Sequence, residues 1–158
     1  HYPLRRQRQM CIRDSSTADC YPVVLFAPAE GALAALHVGR AGAAAGILEA
    51  GINRLSAGFG ANLADTIALV GPGICERCYP VRETDSRAFP ASRRRRNGRW
   101  HVDLAAFIAD DLVSLGLRRR NVLASGLCTS CDPGHFFSHR RDGGKTGRHW
   151  TIAWIDEP

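Results

Sequence analysis

No run of about 18 apolar residues occurs in this chain, so no stretch has the length of a membrane-spanning helix. The N-terminus lacks the charged, apolar and small-residue order of a secretory signal. No internal repeat is visible. Cysteine is sparse: six residues in 158, Cys11, Cys20, Cys75, Cys78, Cys128 and Cys131, are few for a disulfide-stapled secreted scaffold. A chain of this length buries roughly 70% of its unfolded surface and needs no staples. These absences lead us to expect a soluble, cytoplasmic, one-domain protein with reduced thiols and no membrane partner.

What is present in quantity is positive charge, +6 overall, with arginine clusters at residues 93–96 and 118–120. Residues 1–14 hold four Arg and one Asp, hence half of that excess. The run at 93–96 sits among Pro90, Ser92, Asn97 and Gly98 without interleaved aromatics, which reads as a solvated loop and not a nucleic-acid footprint. Residues 1–14 show neither helical nor strand periodicity and differ abruptly from the rest of the chain. They are expected to be a non-native leader, with the domain running from 15 to 158 and incomplete at its N-terminus.

From Tyr21 the pattern becomes regular. Residues 22–27 form a short apolar, β-branched run bounded by Pro28, and residues 33–37 come after a turn at Glu30 and Gly31. The two read as adjacent strands, with His37 at a strand end. Residues 41–55 suit a helix, although Gly42, Gly46 and Gly51 weaken it. Residues 66–70 read as a buried strand ending in Gly71-Pro72-Gly73, a turn that either closes on itself or offers N–H groups to an anion. The clearest helix spans 103–115, with Asp103 as cap, apolar residues at helical spacing and Gly116 beyond its end. Strands are expected at 121–125 and 151–155. This order indicates an α/β or α+β sandwich.

Three groups of residues could carry chemistry. Cys75/Cys78 and Cys128/Cys131 are two Cys-x-x-Cys pairs, the ingredients of a four-thiolate zinc site. The 49 residues between them exceed a zinc ribbon's span of roughly 15 to 20, which favours free thiols. Cys20 and His37 lie beside strands that would pair, and a thiolate with an imidazole suits Zn²⁺ with an open position. Without metal they would be a nucleophilic Cys-His couple, and as plain core residues they would be neither. The segment 135–143 sets Phe136 and Phe137 beside Ser138, His139, Arg140, Arg141 and Asp142. Adjacent arginines fork around phosphate and aromatic rings stack on a base, whereas the alternative is an exposed loop held by an Arg–Asp pair.

In order along the chain stand Thr17-Ala18-Asp19-Cys20 with Pro22-Val23-Val24-Leu25, His37-Val38-Gly39, Gly71-Pro72-Gly73-Ile74, Cys78-Tyr79-Pro80-Val81, Asp103-Leu104, Cys128-Thr129, and Phe136 through Gly143 with Thr146-Gly147-Arg148 after them. This series resembles the ordered motifs of the laccase-domain, or polyphenol oxidase-like, proteins from about Thr17 to Ile155. The resemblance implies a compact α/β fold related to the catalytic domain of cytotoxic necrotizing factor toxins. It also implies a His-Cys-His zinc site in which Cys20 and His37 match two ligands. The family's first zinc histidine lies upstream of Ala18-Asp19-Cys20, and His1 does not replace it, so the third ligand is expected to be missing.

The resemblance further implies a purine nucleoside phosphorylase acting with phosphate on adenosine, inosine and methylthioadenosine, with adenosine deaminase activity as well. A multicopper oxidase would need a richer set of His ligands, which makes zinc the expected metal and copper the less suitable one. In this reading Asp19, Cys20, His37 and Arg140 are catalytic; Asp19 orients the site or serves as acid or base. Arg40, Phe137, Ser138 and Arg141 bind substrate or phosphate, with Phe136 or Phe137 lining the base pocket. Arg40 stands where the family has Trp, and Ala41 where it has Arg. A metal-free Cys-His hydrolase and a non-catalytic zinc module are the alternatives, and a monomer is expected.

Overall fold

The computed structural model describes residues 13–155. In chain order the elements are β1 (Arg13–Thr17), β2 (Tyr21–Ala27), β3 (Ala32–Val38), α1 (Arg40–Ala44), α2 (Ile47–Phe59), β4 (Ile67–Val70), β5 (Pro80–Val81), α3 (Glu83–Ser86), β6 (Arg93–Arg96), β7 (Arg99–Val102), α4 (Leu104–Ser114), β8 (Val122–Ala124) and β9 (His149–Ala153). They form a mixed α/β fold with a central sheet ordered β3-β2-β4-β8, a β1-β9 pair and a small β5-β7-β6 sheet. Arg13 and Asp14, assigned to the leader by sequence, pair with Ala153 and Ile152 of β9. Cys11 and the rest of that segment lie outside the described residues.

The central sheet is built on β2, where every residue except Phe26 is buried. A strand covered on both faces reads as a continuous apolar run, as residues 22–27 do. The face holding Val23, Leu25, Ala68 and Val70 shares one core with Leu48, Ile52 and Leu55 of α2 and Leu104, Ile108 and Leu112 of α4. Both helices thus donate an i, i+4 apolar stripe to the core. Asp103 starts α4 as expected: its carboxylate accepts the Ala106 N–H at 3.0 Å. Asp103→Ala is expected to lower stability by about 1 kcal/mol in chemical denaturation. An unchanged midpoint would show that the cap is dispensable.

Two expectations are corrected. The helix expected over 41–55 is two, because Gly46 takes a left-handed φ of +80° between α1 and α2, a conformation that costs glycine little. The arginine run expected as a loop is β6, paired antiparallel with β7. Asn97 and Gly98 both have positive φ, +46° and +75°, the requirement of a tight hairpin turn whose twist matches the strands. The run is an edge strand, and Arg93 stacks over Trp100 at 4.7 Å.

The connection that positions the site is the parallel pairing of β4 with β8, Ala68 opposite Val122 and Val70 opposite Ala124. Parallel strands deliver their following loops to the same sheet end. The loops after Val70 and Ala124 therefore meet, and Gly73 bridges to Cys128. Gly71 N–H donates to Pro22 O and Gly73 N–H to Leu127 O. The Gly-Pro-Gly turn thus spends its glycine donors on the fold and forms no anion cradle.

Candidate functional site

Three groups converge at the end of the central sheet. In the first, Tyr21 pairs with Val38 and Pro22 with His37. Directly opposed residues share a face, so Cys20, one residue before β2, lies on the face of His37 as its diagonal neighbour. A Cβ on Gly39 would stand 2.7 Å from Cys20 Sγ, so the glycine of His37-Val38-Gly39 makes room for the thiol. His37 is exposed and Cys20 half-buried. Burial pushes the Cys20 thiol above its usual range, Asp19 adds to this, and Arg148 partly opposes it.

Asp19 is the junction of the site. It is buried and holds φ at +83°, a left-handed conformation that Asp tolerates better than most residues. Its Oδ1 accepts the Thr129 hydroxyl at 2.7 Å, and its Oδ2 accepts the Arg140 N–H at 2.7 Å. Its carbonyl accepts the Ile74 N–H at 2.9 Å. One residue therefore ties three loops together beside Cys20.

The second group is an open cleft of about 440 Å³ lined by Arg40, Arg82, Arg99 and Arg140 with Tyr79 and Asp85. Arg140 is held over the Tyr79 ring at 4.9 Å and donates to Pro80 O. Arg40 is paired with Asp85 at 2.9 Å, and Asp85 also bonds Arg82. Arg82, then Arg40, hold the Asp85 carboxyl below its usual range. Four guanidinium groups against one carboxylate make the cleft a place for a multiply charged anion.

Other residues named from sequence lie elsewhere. Arg141 donates to Asp142, to Thr129 O at 3.0 Å and to Phe136 O at 2.9 Å, so its guanidinium is spent within the protein. Ser138 is fully buried, and its Oγ accepts the Arg141 N–H at 3.1 Å. Phe137 is half-exposed and packs against His149, ring centroids 5.5 Å apart. The Phe136–Asp142 segment is thus a loop locked by its own Arg–Asp pair, and from it Arg140 alone reaches the cleft.

Hydrogen bonds from Arg141 and from Thr146 hold the Asp142 carboxyl down to about 2. A depressed folded-state value means that Asp142 stabilises the loop above its unfolded value of about 3.9 and loses that contribution as pH falls toward 2. Asp142→Asn is therefore expected to be less stable than the wild type at pH 6, with the difference shrinking as pH falls from about 4 through 2 and gone only near pH 1. A difference as large at pH 2 as at pH 6 would contradict the ion-pair lock.

The third group is Cys75, Cys78, Cys128 and Cys131, whose sulfur atoms lie within 4.8 Å of one another. The sequence spacing favoured separate thiols; the β4–β8 pairing brings them together instead. Among the described residues this is the group of three or more His, Cys, Asp or Glu donors close enough to share an ion. It is compatible with a metal such as zinc. Burial opposes ionisation of Cys128, but hydrogen bonds from Cys75 and Cys131 outweigh it and bring the thiol down to about 7.

The fold and these motifs place the chain in a class of mixed α/β domains already represented among solved structures. It superposes on YlmD from Geobacillus stearothermophilus with a TM-score of 0.88 at 28% identity, covering 92% of this chain and 57% of that one. Bacillus licheniformis hypothetical protein YfiH gives 0.86 at 30% identity, with 92% and 58% covered. Residues 5–156 match the family described as multi-copper polyphenol oxidoreductase laccase, and the chain belongs to it. The resemblance drawn from sequence is thereby borne out. A purine nucleoside phosphorylase from Xylella fastidiosa (strain Temecula1) is 38% identical over 88% of this chain and 55% of its own length. The purine nucleoside phosphorylase YlmD of Bacillus subtilis is 34% identical, with 89% and 53% covered. The chain spans little more than half the length of these relatives.

Proposed function

We propose that this chain forms part of the active site of a purine nucleoside phosphorylase, with phosphate held in the arginine cleft between Arg40 and Arg140. The observation that carries the reading is the convergence of that cleft with Cys20. Arg40 follows the Gly39 that accommodates the Cys20 thiol, and Arg140 hangs by its N–H from Asp19, the residue before Cys20. Phosphate carries two negative charges or nearly so, and guanidinium forks match its oxygens. The relatives named purine nucleoside phosphorylase support the same assignment.

In the reaction a phosphate oxygen forms a bond to the ribose anomeric carbon while the bond from that carbon to the purine nitrogen breaks. The bonding electrons leave with the base, which takes up a proton. Arg40 and Arg140 place the nucleophile and neutralise its charge. Asp19 has both carboxylate oxygens engaged, so we assign it to positioning Arg140 and not to acid–base transfer. Phe137, half-exposed on the same loop as Arg140, is the aromatic side chain assigned to the base, although it does not line the arginine cleft.

Cys20 and His37 suit zinc by donor type and by their shared face, and Zn²⁺ held there would supply Lewis-acid polarisation of a substrate oxygen. Among the described residues no third donor joins them, and phosphate binding by the arginines does not depend on it. A copper cluster is disfavoured by the same shortage of imidazoles. Burial raises the Cys20 thiol above its usual range, which works against the activated thiolate that a metal-free hydrolase needs.

The test is to assay inosine, adenosine and methylthioadenosine for free base and for ammonia, in the protein extended to the length of its relatives. Base release that rises with phosphate supports the proposal. Ammonia without base would replace it with deamination.

A further inference from the structure

We infer that Cys75, Cys78, Cys128 and Cys131 hold one zinc ion as a four-thiolate structural centre, separate from Cys20 and His37, which locks the two loops that fix Asp19. The geometry is that of two facing knuckles. Cys75 and Cys78 flank a single helical turn closed by Cys78 N–H to Cys75 O at 3.0 Å. Cys128 and Cys131 flank the turn after β8. Four sulfurs about 2.3 Å from a tetrahedral zinc stand about 3.8 Å apart. Cys75 and Cys131 are 3.9 Å apart, and Cys78 and Cys131 3.4 Å.

The surroundings are built for thiolates. The Cys75 N–H donates to Cys128 Sγ at 3.2 Å, a bond that orients a sulfur ligand and stabilises its charge. His101 Nδ1 lies 2.8 Å from Glu76 O and braces the first knuckle from β7. Three of the cysteines are half-buried and Cys131 is exposed, which leaves the ion a way in from solvent. An all-sulfur set with no open position is a structural centre in zinc chemistry.

Its consequence lies one residue away on each side. Ile74, before Cys75, donates to Asp19 O; Thr129, after Cys128, donates its N–H to Gly73 O and its hydroxyl to Asp19 Oδ1. The ion thus clamps loops that otherwise meet through a few hydrogen bonds, and through Asp19 it steadies Arg140. The centre exists whether or not the proposed phosphorolysis is correct, because it depends on none of the cleft residues.

The test uses the full chain purified under reducing conditions. X-ray absorption at the zinc edge is expected to show four sulfur neighbours at about 2.3 Å, and metal analysis one tightly held zinc per chain. Cys20→Ala is expected to keep that zinc, and the double variant Cys78→Ser/Cys131→Ser to lose it. Chelation in the wild type is expected to remove hydrogen-exchange protection from the Ile74 and Thr129 amides while leaving β2 protected. If the double variant fails to fold, the absorption spectrum of Cys20→Ala, which lacks the other possible zinc ligand pair, decides alone. Nitrogen in the coordination of the zinc that remains in Cys20→Ala, no zinc remaining in that variant, or a Cys78–Cys131 disulfide in a protein that takes up no zinc would overturn the inference.

Discussion

Asp19→Ala is expected to destabilise the protein by roughly 3 kcal/mol, because two hydrogen bonds to a buried carboxylate disappear together and each such bond contributes about 1.5–3 kcal/mol. The substitution strands the Thr129 hydroxyl and the Arg140 N–H, both now directed at Asp19. It also puts alanine at a φ of +83°, where it lacks the short polar side chain that lets Asp and Asn tolerate the left-handed region. Asp19→Asn keeps an acceptor and tolerates the left-handed backbone, so it should lose about half as much. Urea titration of both variants measures this. Equal losses would mean that the acceptor oxygen and the left-handed tolerance kept by Asn contribute nothing, against the role given to Asp19 as the hydrogen-bonding junction of the site.

Arg140→Ala is expected to weaken phosphate binding by about 10- to 100-fold, the equivalent of one charge-assisted hydrogen bond or fork. Arg140 is preorganised: its backbone N–H rests on Asp19, its guanidinium lies over Tyr79, and one of its nitrogens is anchored to Pro80 O. Arg40 has to share its guanidinium with Asp85, so Arg40→Ala should cost less, nearer the tenfold end. Arg140→Lys should recover little, since an ammonium supplies charge without the planar fork. Arg141→Ala should leave phosphate affinity nearly unchanged while lowering stability, because its donors already serve Thr129, Phe136 and Asp142. Titration calorimetry with inorganic phosphate separates these outcomes. A larger phosphate effect at Arg141 than at Arg140 would refute the placement of the anion.

Local signals were legible where one element explains itself. The apolar run at 22–27, the strand carrying His37 and the capped helix after Asp103 all stand where their patterns place them. The pairing of those two strands, which brings their ends together, could also be read from their adjacency. Long-range features were not legible. The four cysteines meet because β4 and β8 are parallel neighbours with a three-stranded sheet and two α-helices between them in sequence, and no cysteine spacing encodes that crossover. The arginine run reads as solvated because it is; only Asn97-Gly98, a turn signal outweighed by the charge, marked it as a hairpin. Arg140 and Arg141 are indistinguishable as sequence, yet one faces the cleft and the other holds its own loop.

In the proposed reaction the phosphate bound in the arginine cleft is the nucleophile. Phosphorus NMR of inosine incubated with phosphate and the protein extended to the length of its relatives tests this most directly. The expected result is a ribose 1-phosphate resonance that grows with hypoxanthine and is lost with Arg140→Ala. Free ribose forming at the same rate with or without phosphate would contradict it.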